Sequence, residues 1–251
     1  MFSFSGSRKN GGNRYCYGTV ACWLGIAALA GSCSKFETRD VLASVLAVEG
    51  EAIVIRNGTT TRANPTTLLR TGDRLRTEAC SSATISLVPG VRIVVEEDSE
   101  LEMEELRIHK LAATVSHPVR ARNAQARLLR GSIHASVVFR TVRPHVRLYV
   151  RTPATTYEGD PGDVFFVRVN RAATHVVCAA GQIAVISNTT EDAALLEAGY
   201  AQDFSKNGGS QPAPFRDANE AEEAQNALRH AEVAQELEQA KISLIPGISQ
   251  S

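Results

Sequence analysis

The six histidines, His109, His117, His134, His145, His175 and His230, are the side chains best placed by intrinsic pKa to move protons or ligate metal near neutral pH. None lies in an H-E-x-x-H helix and no serine sits in G-x-S-x-G, so neither a zinc hydrolase nor a serine hydrolase is marked. His134 and His175 fall inside strand-like alternation, where a histidine satisfied by the fold is the ordinary reading. His134 beside an acid in a deep pocket would instead be the mark of an enzyme. The five cysteines are Cys16, Cys22, Cys33, Cys80 and Cys178, with no C-x-x-C and no Cys/His grouping at zinc spacing. Cys80 and Cys178 belong to the body of the chain, either as one disulfide or as two buried thiols. The expectation is a protein without catalytic residues, cofactor or metal.

Charge is distributed unevenly along the chain. Glu96-Glu97-Asp98, then Glu100, Glu102, Glu104 and Glu105, concentrate carboxylates without a D-x-D-x-D-G calcium loop. Leu101, Met103 and Leu106 interleave with them, which predicts a strand whose acids face water at a sheet edge. Arg120, Arg122, Arg127, Arg130, Arg140, Arg143, Arg147 and Arg151 follow; they either pair with the acidic strand or face an anionic partner. Formal net charge is +0 and aromatic residues are 6%, which argues against a nucleic-acid partner.

Short runs rich in β-formers must position these groups. They fall at 43–48, 52–56, 74–77, 83–87, 91–95, 101–108, 125–129, 132–138, 146–151, 164–170, 174–179 and 182–186, and several alternate as half-buried strands do. Asn57-Gly58, Pro89-Gly90 and Ala180-Gly181 split neighbouring runs as hairpin turns. The fold class expected is all-β, a single sandwich or roll-like domain of short strands. Gly72, Gly90, Gly131, Gly181 and Gly199 stand at strand junctions and are assigned to turns rather than to ligand contact.

The two ends differ from this body. Residues 1–14 carry Arg8, Lys9 and Arg14 without an acid, and residues 15–33 carry no charge, the pattern of an export signal over 1–33. Leu29-Ala30-Gly31-Ser32-Cys33 resembles a lipobox, which makes Cys33 the candidate lipid attachment; an uncleaved anchor and a plain signal peptide are the alternatives. Ser34 in place of Asp favours the outer membrane. After a β domain over 34–204, Gly and Pro make 205–216 a linker. Asp217 with Glu220 opens an Ala- and Glu-rich helix within 217–251, either a solvated stem or a partner-docking helix. Its stripe of Ala221, Ala224, Leu228 and Ala231 is a poor one, because Val233 and Leu237 fall off it.

An ordered set of short pieces resembles the FecR domain, the periplasmic part of iron-citrate-type signal transducers. Val48-Glu49-Gly50-Glu51-Ala52 is similar to its opening strand, and Gly72-Asp73-Arg74-Leu75-Arg76-Thr77 with Ser82 to Leu87 and Pro89-Gly90 to its glycine hairpin. Glu97-Asp98-Ser99-Glu100-Leu101, Leu129-Arg130-Gly131-Ser132-Ile133 and Arg151-Thr152-Pro153-Ala154 follow in the family's order. Ala180-Gly181-Gln182-Ile183-Ala184-Val185 and Leu196-Glu197-Ala198-Gly199 resemble its closing pieces. Asp160-Pro161-Gly162-Asp163 stands where the family has Arg-Gly-Thr, and only about 14 residues precede the apolar stretch, too few for a sigma-binding segment. The resemblance implies a non-catalytic binding or interaction module at the periplasm or outer membrane, its partner an envelope protein or polymer. Its membrane contact would run through lipidated Cys33 or residues 15–33. The alternative is a membrane-anchored sensor in transmembrane signalling.

Overall fold

A computed structural model of the chain describes residues 36–111, 119–138, 145–171, 173–205 and 208–243. The expected export segment and Cys33 lie outside these residues. In chain order the strands are β1 (Phe36–Asp40), β2 (Ala43–Glu49), β3 (Ala52–Arg56), β4 (Thr59–Arg62), β5 (Leu68–Leu69), β6 (Arg74–Thr77), β7 (Ser82–Val88), β8 (Val91–Val95) and β9 (Glu100–Leu111). They continue as β10 (Val119–Val137), β11 (His145–Arg151), β12 (Thr155–Gly159), β13 (Val164–Val169), β14 (Ala173–Ala180), β15 (Gln182–Ser187), β16 (Ala193–Glu197) and β17 (Tyr200–Ser205). A helix, α1 (Ala218–Ser243), follows. Among the described residues no helix is long and apolar enough to cross a membrane.

The strands form two sheets. The first runs β4, β3, β6, β9, the first part of β10, β11, β12, β15 and β16, with β1 extending the β6 side of β9. The second runs β5, β2, β7, β8, the second part of β10, β13, β14 and β17. All these pairs are antiparallel except β10 with β11. Val54, Leu75, Leu101 and Leu148 of the first sheet and Ile85, Ile93, Val167 and Val176 of the second meet in one buried core. Each such side chain contributes roughly 1.5–3 kcal/mol on burial, so the interleaved layers are what hold the fold.

One strand departs from the expected short elements. The runs 125–129 and 132–138 are fused into the 19-residue β10, which belongs to both sheets. Its core-facing residues are Ala124, Ala126 and Leu128 before Gly131, and Ile133, Ala135 and Val137 after it. The change from even to odd positions is taken up by a bulge in the β9 pairing between Leu128 and Arg130 and by the left-handed Gly131 (φ 82). A Cβ on Gly131 would lie 2.5 Å from the Ser99 Cα. The Ser99 hydroxyl fastens this corner, accepting from the Ser132 amide at 2.8 Å.

Two other expectations are corrected. The acidic run is not an edge: β9 pairs on both sides, and Glu100, Glu102 and Glu104 meet Arg74, Arg127, Arg130 and Arg151 on the outer face of the first sheet. Cross-strand pairing of opposite charges explains why that strand can stand in the middle. The segment expected as a linker returns along β17, where Gly208 and Gly209 pair with Ser205 and Phe204 and Ala213 with Ala201. The open edge of β17 supplies the backbone groups that this segment satisfies.

In the turn before β6, Asp73 is nearly fully buried and takes both a 2.8 Å and a 2.6 Å bond from the Arg56 guanidinium, plus the Arg70 amide at 2.7 Å. Burial alone would raise its pKa, but these donors hold it below the usual carboxylate value. Asp73 thus locks the β3–β4 hairpin to the turn that precedes β6.

Gly131→Ala should cost more than about 1 kcal/mol, since it adds a clash with the Ser99 backbone to a left-handed φ. Gly90→Ala meets only the φ cost, because a Cβ there finds open space. Urea denaturation of the two variants should rank Gly131→Ala as clearly the less stable; equal midpoints would contradict the hinge assignment.

Candidate functional site

Facing away from the core, the second sheet carries three rows of side chains set by its register. Ser86, Arg92, Ser136 and Val164 make one; Thr84, Val94, His134, Phe166, Val177 and Ala201 make the second; Ser132, Arg168, His175 and Asp203 make the third. The middle row is largely apolar, and the outer rows are polar. Helix α1 lies across all three.

The helix begins where the sequence marks it. Asp217 Oδ1 accepts the amides of Asn219 and Glu220 at 2.9 and 3.0 Å, while Glu220 Oε2 reaches back to the Arg216 amide at 2.5 Å. Its buried face is not the expected one: Leu228 is 40% exposed, whereas Glu220, Ala224, Ala227, Ala234 and Glu238 are buried. These recur at helical spacing and form a stripe of small residues with a carboxylate at each end. Ala224 and Ala227 pack against Phe166, Val177 and Ala201.

Charge fixes both ends. At one, Glu238 takes Arg92 and accepts the Ser86 hydroxyl at 3.1 Å, with both charged side chains at or below 10% exposure. The remaining Arg92 donors, Nε and Nη1, have no hydrogen-bond partner among the described residues. At the other end Glu223 accepts from Arg168 at 2.6 Å and faces His175 Nε2 at 3.4 Å, while His175 Nδ1 meets Asp203 at 2.6 Å. Glu223 and then Asp203 raise the His175 pKa against the burial that opposes them, Asp203 through the shorter contact. Burial works against the Glu223 carboxylate, but His175 and Arg168 keep it below its usual range.

Between the two ends, Glu96, His134 and His230 converge. Glu96 Oε1 lies 3.2 Å from His134 Nε2 and 3.5 Å from His230 Nε2. The His134 ring is set between Phe166 and His230, with centroids 4.9 and 4.7 Å away. His134 lowers the Glu96 pKa against the effect of burial, and burial first, then the His134 charge, lowers that of His230. His134 lies in a strand and Glu96 in the acidic run, both marked locally, but nothing local signals that His230 from α1 joins them.

The glycines assigned to turns are spread over the molecule and all have positive φ. Gly90 lies under the far end of α1, its amide 3.5 Å from Glu238 Oε1. Gly131 lines an open cavity of about 740 Å³ with Asp98, Arg130, Pro153, Asn170 and Arg171. Gly72, Gly181 and Gly199 serve separate turns. Both described cysteines are free: Cys80 is exposed, and burial pushes the Cys178 thiol up to about 12.

Residues 73–184 match the family described as FecR protein, so this stretch of the chain is a FecR domain. No curated protein matches the chain. Two crystal structures of a candidate anti-sigma factor from Parabacteroides distasonis ATCC 8503 are similar over 56% of this chain, at 13% and 12% identity with TM-scores of 0.40 and 0.42. This chain covers 59% of their length.

Two outcomes follow from the seam. Glu238→Ala leaves Arg92 buried without its carboxylate, a loss of about 3 kcal/mol or roughly 100-fold in docking. Hydrogen exchange should show protection lost over 218–243 and kept over β7, β8 and β13. The raised His175 pKa means docking support that is complete below the ordinary value of 6.5 and is lost as pH rises through the folded value. The ratio of protease cleavage near residue 216 at about pH 8 to that at about pH 6 should therefore be larger in the native chain than in His175→Gln, where the lowered His230 pKa remains and favours docking at the higher pH.

Proposed function

We propose that this FecR-domain chain is a non-catalytic regulatory module exposed at the cell envelope, whose outer sheet face is reversibly covered by α1. The observation that carries this reading is the way the helix is held. Its buried stripe is alanine, worth little apolar area, and its ends are fixed by ion pairs in which Arg92 keeps two donors unbonded. Undocking restores water to Arg92 and Glu238, which offsets part of the loss. A cover held this way is suited to release.

Export through residues 1–33 and tethering at Cys33 complete the proposal, with the lipobox-like Leu29-Ala30-Gly31-Ser32-Cys33 as its support. The partner is then an envelope protein or polymer that meets the second sheet. The alternative, a sensor that keeps residues 15–33 as an anchor, rests on the same segment. The intact mass of the mature protein separates them: a diacylglyceryl group on an amino-terminal Cys33 supports the tether, and a retained segment supports the sensor.

The cover itself is tested with a photo-reactive phenylalanine analogue at position 166, under α1. In the otherwise native chain the expected crosslink is internal, to the helix. With Glu238→Ala in envelope preparations, the crosslink should move to a second molecule. Internal crosslinks alone in both would sink the reading.

A further inference from the structure

Glu96, His134 and His230 come from the end of β8, from β10 and from α1, and they offer one carboxylate and two imidazoles within 4.8 Å of one another. Two features set this group apart from an ordinary ion pair. First, the contacts converge on a shared point: Glu96 Oε1 is buried and faces both Nε2 atoms at 3.2 and 3.5 Å, and among the described residues no donor is aligned on it in good hydrogen-bond geometry. Second, the two carboxylate–imidazole separations suit an ion: ligand bonds of 2.0–2.1 Å in tetrahedral geometry set neighbouring donors about 3.3 Å apart, between those two values. The two imidazole nitrogens lie within 4.8 Å of each other and close on an ion by a small shift of α1.

We propose that Glu96, His134 and His230 bind a divalent transition ion of the zinc class, in a site that is complete only while α1 lies on the second sheet. Two imidazoles and a carboxylate are the donor set such ions take, with remaining positions left to water. His134 is held in place by Phe166 and by the strand register, so it presents a fixed donor. His230 is about one-third exposed and provides a path for entry. Of the charged groups near His230, Arg229 opposes a cation there and Glu49 favours it. Among the described residues His134 Nδ1 has no acceptor, so the outer bond that tightens many histidine–metal sites is missing. Its absence weakens affinity by about 10–100-fold, which makes the ion exchangeable rather than permanent.

Because one ligand comes from the helix and two from the sheet, binding favours the docked state alone. The site stands apart from the envelope role: it would bind metal whatever α1 covers.

The test is zinc titration of the full chain, with Cys80→Ser and the amino-terminal thiols alkylated, since thiolates also take zinc. One equivalent should bind with micromolar affinity, and cobalt should give the ligand-field bands of a site of low coordination number. His134→Gln and His230→Gln should each weaken binding by at least about 100-fold, beyond what an outer-shell change costs. Zinc should slow hydrogen exchange over 218–243 in the chain with native ligands and not in His230→Gln, whose circular dichroism should be unaltered. No binding at 100-fold molar excess, or equal binding in both variants, would overturn the proposal.

Discussion

The passage of β10 from one sheet to the other governs everything placed on it. A strand that simply bent around the core would keep one parity inward, and a one-residue offset reverses every side chain. Here the bulge before Arg130 and the left-handed Gly131 supply that offset, so that Ile133, Ala135 and Val137 point into the core. His134 and Ser136 consequently point outward, toward α1. Had the even parity of Ala124 to Leu128 continued, His134 would face an apolar interior. The same glycine lets the Ser99 backbone approach, which closes the corner between the layers. Fold and site share this one constraint.

The helix obeys a different rule. Alanine faces allow close approach but bury little apolar surface, on the order of 1 kcal/mol for each methyl. Position along the sheet must then come from polar pairs, and the carboxylates of Glu223 and Glu238 supply it from opposite ends. Each reaches a different strand row, Arg168 with His175 in one and Arg92 with Ser86 in the other, so the helix has a single register on the sheet. The buried Arg92–Glu238 pair and the half-exposed Arg168–Glu223 pair fix orientation better than they add stability. Specific placement with modest holding strength is the result.

Much of this is legible in the sequence, and the reason divides cleanly. Period-two alternation marks runs such as 52–56 and 146–151 because one face is buried and the other is wet. Asn57-Gly58 reads as a hairpin because both residues take positive φ, as they do between β3 and β4. The fused β10 is not legible, since Gly131 looks like a turn and only the long-range pairing with β9, β8 and β13 keeps it in a strand. The strands β12, β16 and β17 were hidden in runs of mixed polarity. The docking face of α1 is invisible to a search for leucine stripes, because its buried positions are alanine and glutamate. Glu96, His134 and His230 meet only through tertiary structure, so no spacing rule could have joined them.

The composition of the covered face constrains what can replace the helix. Without α1, the middle row would expose Val94, Phe166, Val177 and Ala201, an apolar strip that water does not solvate well. The flanking rows would expose Arg92 on one side and Arg168 with His175 on the other, both comfortable in water. A flat hydrophobic partner would leave these cations desolvated and unpaired, which costs more than the strip returns. An anionic polymer would satisfy the cations and leave the strip wet. Only an element with small apolar residues between two carboxylates meets all three rows together, and that is the pattern α1 itself presents. A competitor that matches all three rows therefore imitates the helix, whereas one that matches only the cations or only the strip binds at a cost, and the selectivity of the surface follows from that difference.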